Sequence, residues 1–421
     1  ANTVLVAGRC ETDESSTTVT IPDTILNGGY NVTSIASFNN ASNVTTISIP
    51  ASVTSITPGA FATCTALTQF TVDANSTTFS ANNGMLLSKN GNTLVAYPTG
   101  KTDASFSLPS NISTISSKAF AGNTHLTEII PTATFAPNLG EEAIRSDIRI
   151  SLPINLMGTY FMNTAWYALH PTVVVTDGQA YTSTYSSDRT FNAEYTRTFL
   201  AANSDYWQAV FVPFSAKYSE TDWHKYGSLA KLAGVADLGS YYQLQWEYLQ
   251  VDEVVEAGVP YIFKPNSTTT GNVTMEFGCS AVAKAAEAKT VSYKVEAANA
   301  DDIDVTFNLQ GTYEQKTGTG AANDVWYALT SGSFMQAGQN AVLNPYRIYF
   351  TITDDDNHTI QSPKGITNSL DGNEVGIEVI NLEAPERPLD NNYYDVLGRR
   401  IEKPVPGRVY IHQGKKIIFE R

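Results

Sequence analysis

Cysteine is nearly missing, with three in 421 residues: Cys10, Cys64 and Cys279. An odd, widely spaced set makes no disulfide framework, and no CxxC pair offers a zinc site. Histidine is as scarce. His125, His170, His224, His358 and His412 are too far apart for H-E-x-x-H or any similar zinc spacing. No P-loop, no G-x-S-x-G and no G-x-G-x-x-G is present. No apolar run approaches the ~18 residues that a membrane-spanning helix needs. Charged residues make up only 16%, and they are unbalanced, at a formal net charge of −15. Such a surface repels phosphate backbones and anionic head groups. The basic pairs Arg399–Arg400 and Lys415–Lys416 read as solvated turns. No basic-plus-apolar leader opens the chain, and Ala1 runs straight into a β-like segment, as in a chain whose leader has been removed. These absences argue against an enzyme with a recognisable catalytic motif, a cofactor, a nucleic-acid partner and a transmembrane segment.

What is abundant is threonine, together with serine, asparagine, 22 tyrosines and 18 phenylalanines. β-Branched and aromatic residues suit half-buried pleated surfaces, so the composition is that of a mostly β protein.

The first part of the chain repeats itself. Pro50 precedes Phe61 by 11 residues and Leu67 by 17, and Pro109 precedes Phe120 and Leu126 by the same intervals. The two copies, Ile49-Pro50-Ala51-Ser52-Val53-Thr54-Ser55-Ile56 and Leu108-Pro109-Ser110-Asn111-Ile112-Ser113-Thr114-Ile115, each lead into Ala-Phe. A looser copy begins at Ile21-Pro22 and a remnant lies at Leu139–Ile144. Val44/Ile47/Ile49 and Leu67/Phe70/Val72 have the spacing of short strands with alternate residues inward. Ala60-Phe61 and Ala119-Phe120 put a small residue and a large plug on the opposite side. One such unit cannot bury its apolar face alone, but a stack shares one core.

The unit resembles the BspA-like leucine-rich repeats of bacterial surface proteins, I-P-x-x-V-x-x-I-x-x-x-A-F-x-x-C-x-x-L. Cys64 stands at that family's cysteine position, where it reads as a small buried hydrophobe. Asn123 holds the position in the second copy. The insert Asn83–Pro98 reads as a hairpin, with strands Met85–Ser88 and Thr93–Tyr97 turning at Asn90-Gly91. The family commonly carries such an insert. Leu156–Ala168, with Tyr160, Phe161 and Trp166 at helical spacing, looks like the amphipathic helix that closes these repeats and covers the last core layer.

Residues 173–376 show many short apolar or alternating runs, among them Gln208–Phe214, Tyr241–Leu249, Val259–Phe263 and Tyr346–Ile352, which predict a β-sandwich-like module. Ser228–Ala233 and Ser280–Lys289 read as short helices. The segments Trp207–Phe214, Ala257–Ile262 and Pro345–Phe350 resemble a module of surface proteins in the Bacteroides lineage. Residues 377–421 read as a linker and a short β tail. The tail's Y-D-x-x-G-R-R and V-Y-I-x-x-G-K-K elements are similar to the C-terminal tails of exported proteins, some of them sorting signals. The organisation expected is therefore a repeat solenoid with its helix over 1–172, a β module over 173–376 and a tail over 377–421.

The resemblance implies a secreted or cell-surface adhesion protein that recognises a host extracellular-matrix protein or another macromolecule. Strand alternation points Thr46, Ser48, Gln69, Thr71 and Glu128 outward on the solenoid, as candidate binding residues. An alternative is carbohydrate binding by the middle module, with Trp207, Trp223, Trp246 and Trp326 as candidate stacking rings; a glycoside hydrolase is a more distant reading. Three acidic or dyad-like clusters have bland explanations. Asp222-Trp223-His224 would split across the faces of an extended chain. Asp354-Asp355-Asp356-Asn357 fits a polar turn between Ile352 and Ile360 better than a Ca²⁺ loop. Asp301-Asp302-Ile303-Asp304 reads the same way.

Overall fold

The computed structural model describes residues 2–6, 16–25, 29–38, 41–199 and 206–370, with short breaks at 267, 298–302, 322, 331 and 361–364. It also describes the strand residues 373–374, 393–394, 400–401, 409–412 and 415–418. The expected linker, most of the Y-D-x-x-G-R-R element, Cys10 and Asp301-Asp302 lie outside the described residues. The chain forms two compact units, Ala1–Val174 and Val175–Arg421.

The first unit is a β-solenoid. Seven front strands follow one another among the described residues: Thr18–Thr20, Thr46–Ile49, Gln69–Val72, Ser105–Leu108, Glu128–Pro131, Arg149–Pro153 and Thr172–Thr176. Within each ladder they pair in parallel, as Thr46↔Gln69 and Ser105↔Glu128 show. Short back strands alternate with them: Tyr30–Ile35, Ser55–Ile56, Thr93–Ala96, Thr114–Ile115 and Asn138–Leu139. Each coil turns its alternate residues inward, so Val32, Val44, Ile47, Leu67, Leu108, Leu126 and Ile129 are fully buried. Aromatic plugs fill the coils in two groups. Phe61 packs on Phe38 and Phe70 at 6.1 and 4.8 Å, and Tyr97 packs on Phe106 and Phe120 at 5.0 and 5.3 Å. Such pairs contribute about 1 kcal/mol each beyond their buried area.

The arc that leaves each back strand comes in two lengths. Ile56 to Phe61 and Ile115 to Phe120 are long arcs. They pass through Gly59 and Lys118, which share the left-handed conformation at φ +76° and +57°; Glu142, at φ +49°, marks the next long arc. Ile35 to Phe38 and Leu94 to Tyr97 are short arcs that lack this excursion. The equivalence is visible in the hydrogen bonds, since Phe38 N donates to Ala60 O and Tyr97 N to Ala119 O. The two long arcs on either side of the short arc Leu94–Tyr97 approach each other closely. A Cβ on Gly122 would lie 2.1 Å from Ala62 O, so a glycine is required there.

The insert is the expected hairpin. Met85–Ser88 pairs with Thr93–Ala96, and Gly91 takes φ +73° in the turn. A further strand, Phe79–Asn82, adds to its other edge. Met85, Leu86 and Leu87 are all buried, so this strand hides both its faces.

The closing element corrects one expectation. Leu156–Ala168 is not one helix but two, Met157–Met162 and Thr164–Tyr167. Asn163 separates them, because its side chain accepts from the amides of Ala165 and Trp166 and so starts a new helix. The covering role stands: Tyr160, Phe161 and Trp166 are buried, and Trp166 Nε1 donates to Pro137 O at 2.6 Å.

The second unit is built of antiparallel sheets. Phe191–Phe199, Gly271–Val282, Phe214–Thr221 and Val254–Val255 form one. Gln208–Phe211, Pro260–Pro265, Gly227–Asp237 and Tyr241–Tyr248 form a second, to which Gly365–Leu370 adds in parallel. Thr290–Val295, Val305–Thr312, Arg347–Thr353, Tyr327–Thr330 and Ser333–Gln336 form a third. Trp223 packs on Phe277 of the first sheet and Phe263 of the second. Tyr242 and Trp246 of the second pack on Phe307 and Phe334 of the third. Strands Gln208–Phe211 and Pro260–Pro265 therefore lie between layers, which is why their sequences are continuous apolar runs rather than alternating ones.

Two helix expectations fail here. Ser228–Ala233 lies inside strand Gly227–Asp237, and Ser280–Lys289 is the end of strand Gly271–Val282 followed by a single 3-10 turn, Ala285–Glu287. Ala, Leu and Lys favour helix locally, but Gly227–Asp237 pairs along both edges, and that tertiary pairing outweighs propensity.

Candidate binding face

The front strands Thr18–Thr20, Thr46–Ile49 and Gln69–Val72 make one parallel ladder. Ile47, Ile49 and Phe70 point into the core. The alternate residues form two rows on the outside: Thr18, Thr46 and Gln69 in register, then Thr20, Ser48 and Thr71. Rungs of such a ladder stand about 4.8 Å apart and successive outward residues about 6.6 Å apart along a strand. Cross-rung hydrogen bonds hold the rows in place. Gln69 Nε2 donates to Thr46 Oγ1 at 3.1 Å, and the hydroxyls of Ser48 and Thr71 are 2.6 Å apart. None of the six side chains carries a charge. Each hydroxyl keeps lone pairs for a ligand, because one hydrogen bond does not exhaust its capacity.

Four of the five sequence candidates, Thr46, Ser48, Gln69 and Thr71, are thus neighbours. Glu128 is not among them. It belongs to another ladder, between Ser105 and Arg149, and it accepts a hydrogen bond from Ser151 Oγ. That bond, opposed by partial burial and helped by Ser105 and Arg149, holds its carboxyl below the usual range. Thr18 and Thr20 were missed. Their signal was the loose copy at Ile21-Pro22, which aligns Thr18-Val19-Thr20 with Thr46-Ile47-Ser48.

The other candidates lose their chemistry in the fold. Trp223, Trp246 and Trp326 are buried, and Trp207 is half-buried against Tyr248, so the four indoles offer no exposed stacking platform. This removes the observation on which the glycan reading of the middle module rested. The Asp222-Trp223-His224 trio sits at a four-residue helix, Trp223–Tyr226, rather than on extended chain. The Asp222 carboxylate meets Lys225 and the amide of Glu276 while His224 is exposed. Asp354 accepts from the amide and Nδ1 of His358 and closes a turn in which Ile360 N donates to Ile352 O. Among the described residues no three His, Cys, Asp or Glu side chains gather as a metal site.

The model of the BspA type leucine rich repeat region matches residues 13–83 and 101–151, in six copies. The matched residues all lie in the N-terminal unit, whose coils are thus similar to BspA-type leucine-rich repeats. The gap in the match is the hairpin insert, and the outward rows fall on the front strands of the matched coils.

Among solved structures, the pneumococcal vaccine antigen PcpA is 24% identical over 29% of this chain and 31% of its own, with a TM-score of 0.25. A leucine-rich cell-surface protein from Faecalibacterium prausnitzii is 26% identical over 33% of this chain and 41% of its own, with a TM-score of 0.24. A leucine-rich-repeat protein from Eubacterium ventriosum is 20% identical over 38% and 60%, with a TM-score of 0.24. The chain spans less than two thirds of each. No curated protein matches the chain.

Proposed function

We propose that the chain is a cell-surface or secreted binding protein, and that the front face of its BspA-type repeats reads a host extracellular-matrix protein or another macromolecule. The observation that carries this reading is the pair of uncharged rows, Thr18/Thr46/Gln69 and Thr20/Ser48/Thr71. In a chain of net charge −15, a flat hydroxyl and amide surface meets a polar partner without long-range repulsion at the contact. A solenoid presents that surface on a rigid frame, which lowers the ordering cost of binding.

The test replaces all six outward residues with alanine in the full chain and measures binding to immobilised fibronectin, laminin, collagen and mucin by surface plasmon resonance. The six positions lie outside the core, so the fold survives the change. At least a tenfold loss of affinity for whichever surface the wild type binds is expected. Unchanged binding would move the reading surface elsewhere.

A further inference from the structure

The hairpin insert and the strand added to it carry two Asn-Gly turns, Asn83-Gly84 and Asn90-Gly91, and the fold treats them differently. At the second turn the groups that would react with each other are engaged. Gly91 N donates to Ser88 O at 2.8 Å, and Asn90 Oδ1 accepts from Ser88 Oγ at 2.7 Å and from Asn92 N at 3.4 Å. At the first turn they are not. Asn83 is exposed, and among the described residues its side-chain amide has no hydrogen-bond partner and Gly84 N–H has no acceptor. The two residues take φ +49° and +78°, the left-handed pair of a two-residue hairpin turn. Glycine carries no Cβ to shield its nitrogen. The position of this turn matters as well. Gly84 O accepts from Phe70 N at 2.8 Å, and a Cβ on Gly84 would lie 3.2 Å from Gln69 Cβ. The turn therefore abuts the Gln69 end of the outward row Thr18/Thr46/Gln69.

We propose that Asn83-Gly84 is a site of spontaneous deamidation that sets a negative charge at the edge of the front face. Hydroxide takes the Gly84 amide proton, and the nitrogen attacks Asn83 Cγ. The Cγ–Nδ2 bond breaks, and ammonia leaves with a proton from water, which restores the hydroxide. The cyclic imide then takes up water. Opening at the side-chain carbonyl gives Asp. Opening at the main-chain carbonyl gives isoaspartate, whose backbone runs through the former side chain and is longer by one methylene. Either product adds a carboxylate beside rows that carry none. At Asn90 the same reaction first has to break the Gly91–Ser88 bond, at about 1 kcal/mol, and to free the side chain. The regulatory consequence, a loss of affinity as the chain ages, rests on the front-face reading; the reaction does not.

The test holds the full chain in mildly alkaline buffer, native and in urea, and follows both sites by peptide mapping with tandem mass spectrometry. The native chain should convert Asn83 at least tenfold faster than Asn90. In urea the two sites should react at similar rates, because only the fold distinguishes them. Equal rates in the native chain, or a faster reaction at Asn90, would overturn the proposal; so would a native Asn83 that stays intact while the unfolded chain converts it. Asn83→Asp carries the charged product from the start, whereas Asn83→Gly suits the left-handed backbone and has no amide to lose. On the surface that the wild type binds, Asn83→Asp should lose at least threefold in affinity and Asn83→Gly should match the wild type. If the six-alanine variant loses binding and Asn83→Asp does not, the regulatory consequence fails while the front-face reading stands. If neither loses binding, that reading has failed, and the native and urea rates still decide the chemistry.

Discussion

Cys64 and Asn123 occupy the same position of two coils and meet different needs there. Cys64 Sγ lies 3.3 Å from Phe38 O in a fully buried site. Burial pushes its thiol up to about 12, so almost no thiolate exists at neutral pH. Cys279 is buried too, and its thiol is raised for the same reason. A Cys10→Ser form of the native chain should therefore react with a thiol reagent only after denaturant is added; rapid labelling of the native form would show one of these sites to be open. Asn123 instead satisfies four main-chain groups. Its Nδ2 donates to Pro98 O and Lys101 O, and its Oδ1 accepts from the amides of His125 and Leu126. Asn123→Ala strands these groups, at a cost of about 3 kcal/mol from roughly 1 kcal/mol per bond and the added penalty for buried orphans. Hydrogen exchange at Leu126 should accelerate accordingly, and unchanged protection would mean that water replaces the side chain without loss. The repeat pattern aligned the two residues and read Cys64 as buried, but only the coil geometry shows why the other is an amide: it reaches the Pro98–Lys101 segment that the hairpin insert leads into.

At the scale of elements, close approach and buried charge govern the second unit. Gly311, in strand Val305–Thr312, lies under Phe211, and a Cβ there would sit 2.0 Å from the ring. Gly311→Ala has to displace an aromatic side chain of a middle-layer strand and should destabilise this unit by about 2 kcal/mol or more, read as a lower midpoint in urea. No sequence signal marks this glycine, since its partner is 100 residues away on another strand. Arg347, opening strand Arg347–Thr353, grips Asp177 through two 2.8 Å bonds, and Tyr195 donates to the same carboxylate. Burial alone would raise the Asp177 carboxyl, but the Arg347 bonds and charge, with Tyr195 and Arg197, outweigh it and hold it below its usual value. The stability this contributes is present above the ordinary carboxylate range, near pH 4, and is lost as pH falls through the lower folded value. The thermal unfolding midpoint of the wild type should thus fall on acidification below about pH 4. Asp177→Asn should be less stable at pH 7 and show a shallower acid dependence. An identical pH profile in the two would remove the pair from any role in stability. Strand Gly227–Asp237 carries the same lesson in its pairing: Ser228–Ala233 looks helical on its own and becomes a strand because two neighbours take its hydrogen bonds.

Across the whole molecule, the charge of −15 and an isoelectric point near 4.7 set how the chain meets other surfaces. Turbidity should peak near that pH, where self-repulsion vanishes, and association with heparin should be undetectable at physiological salt. Binding to heparin there would reveal a basic surface that the net charge conceals. The repeat register, the mostly β composition, the hairpin at Asn90-Gly91 and the outward alternation of Thr46, Ser48, Gln69 and Thr71 were all determined by the sequence alone, because each follows from local spacing: period two in a strand, a fixed interval between coils, a glycine in a turn. The sequence could not determine which outward residues become neighbours. The tertiary structure set Thr18 and Thr20 beside Thr46 and Ser48, and placed Glu128 on another ladder. It buried Trp223, Trp246 and Trp326, and it laid the Asn83-Gly84 turn against Gln69. Those outcomes depend on register and packing between segments far apart in the chain, and such contacts leave no local periodicity to read.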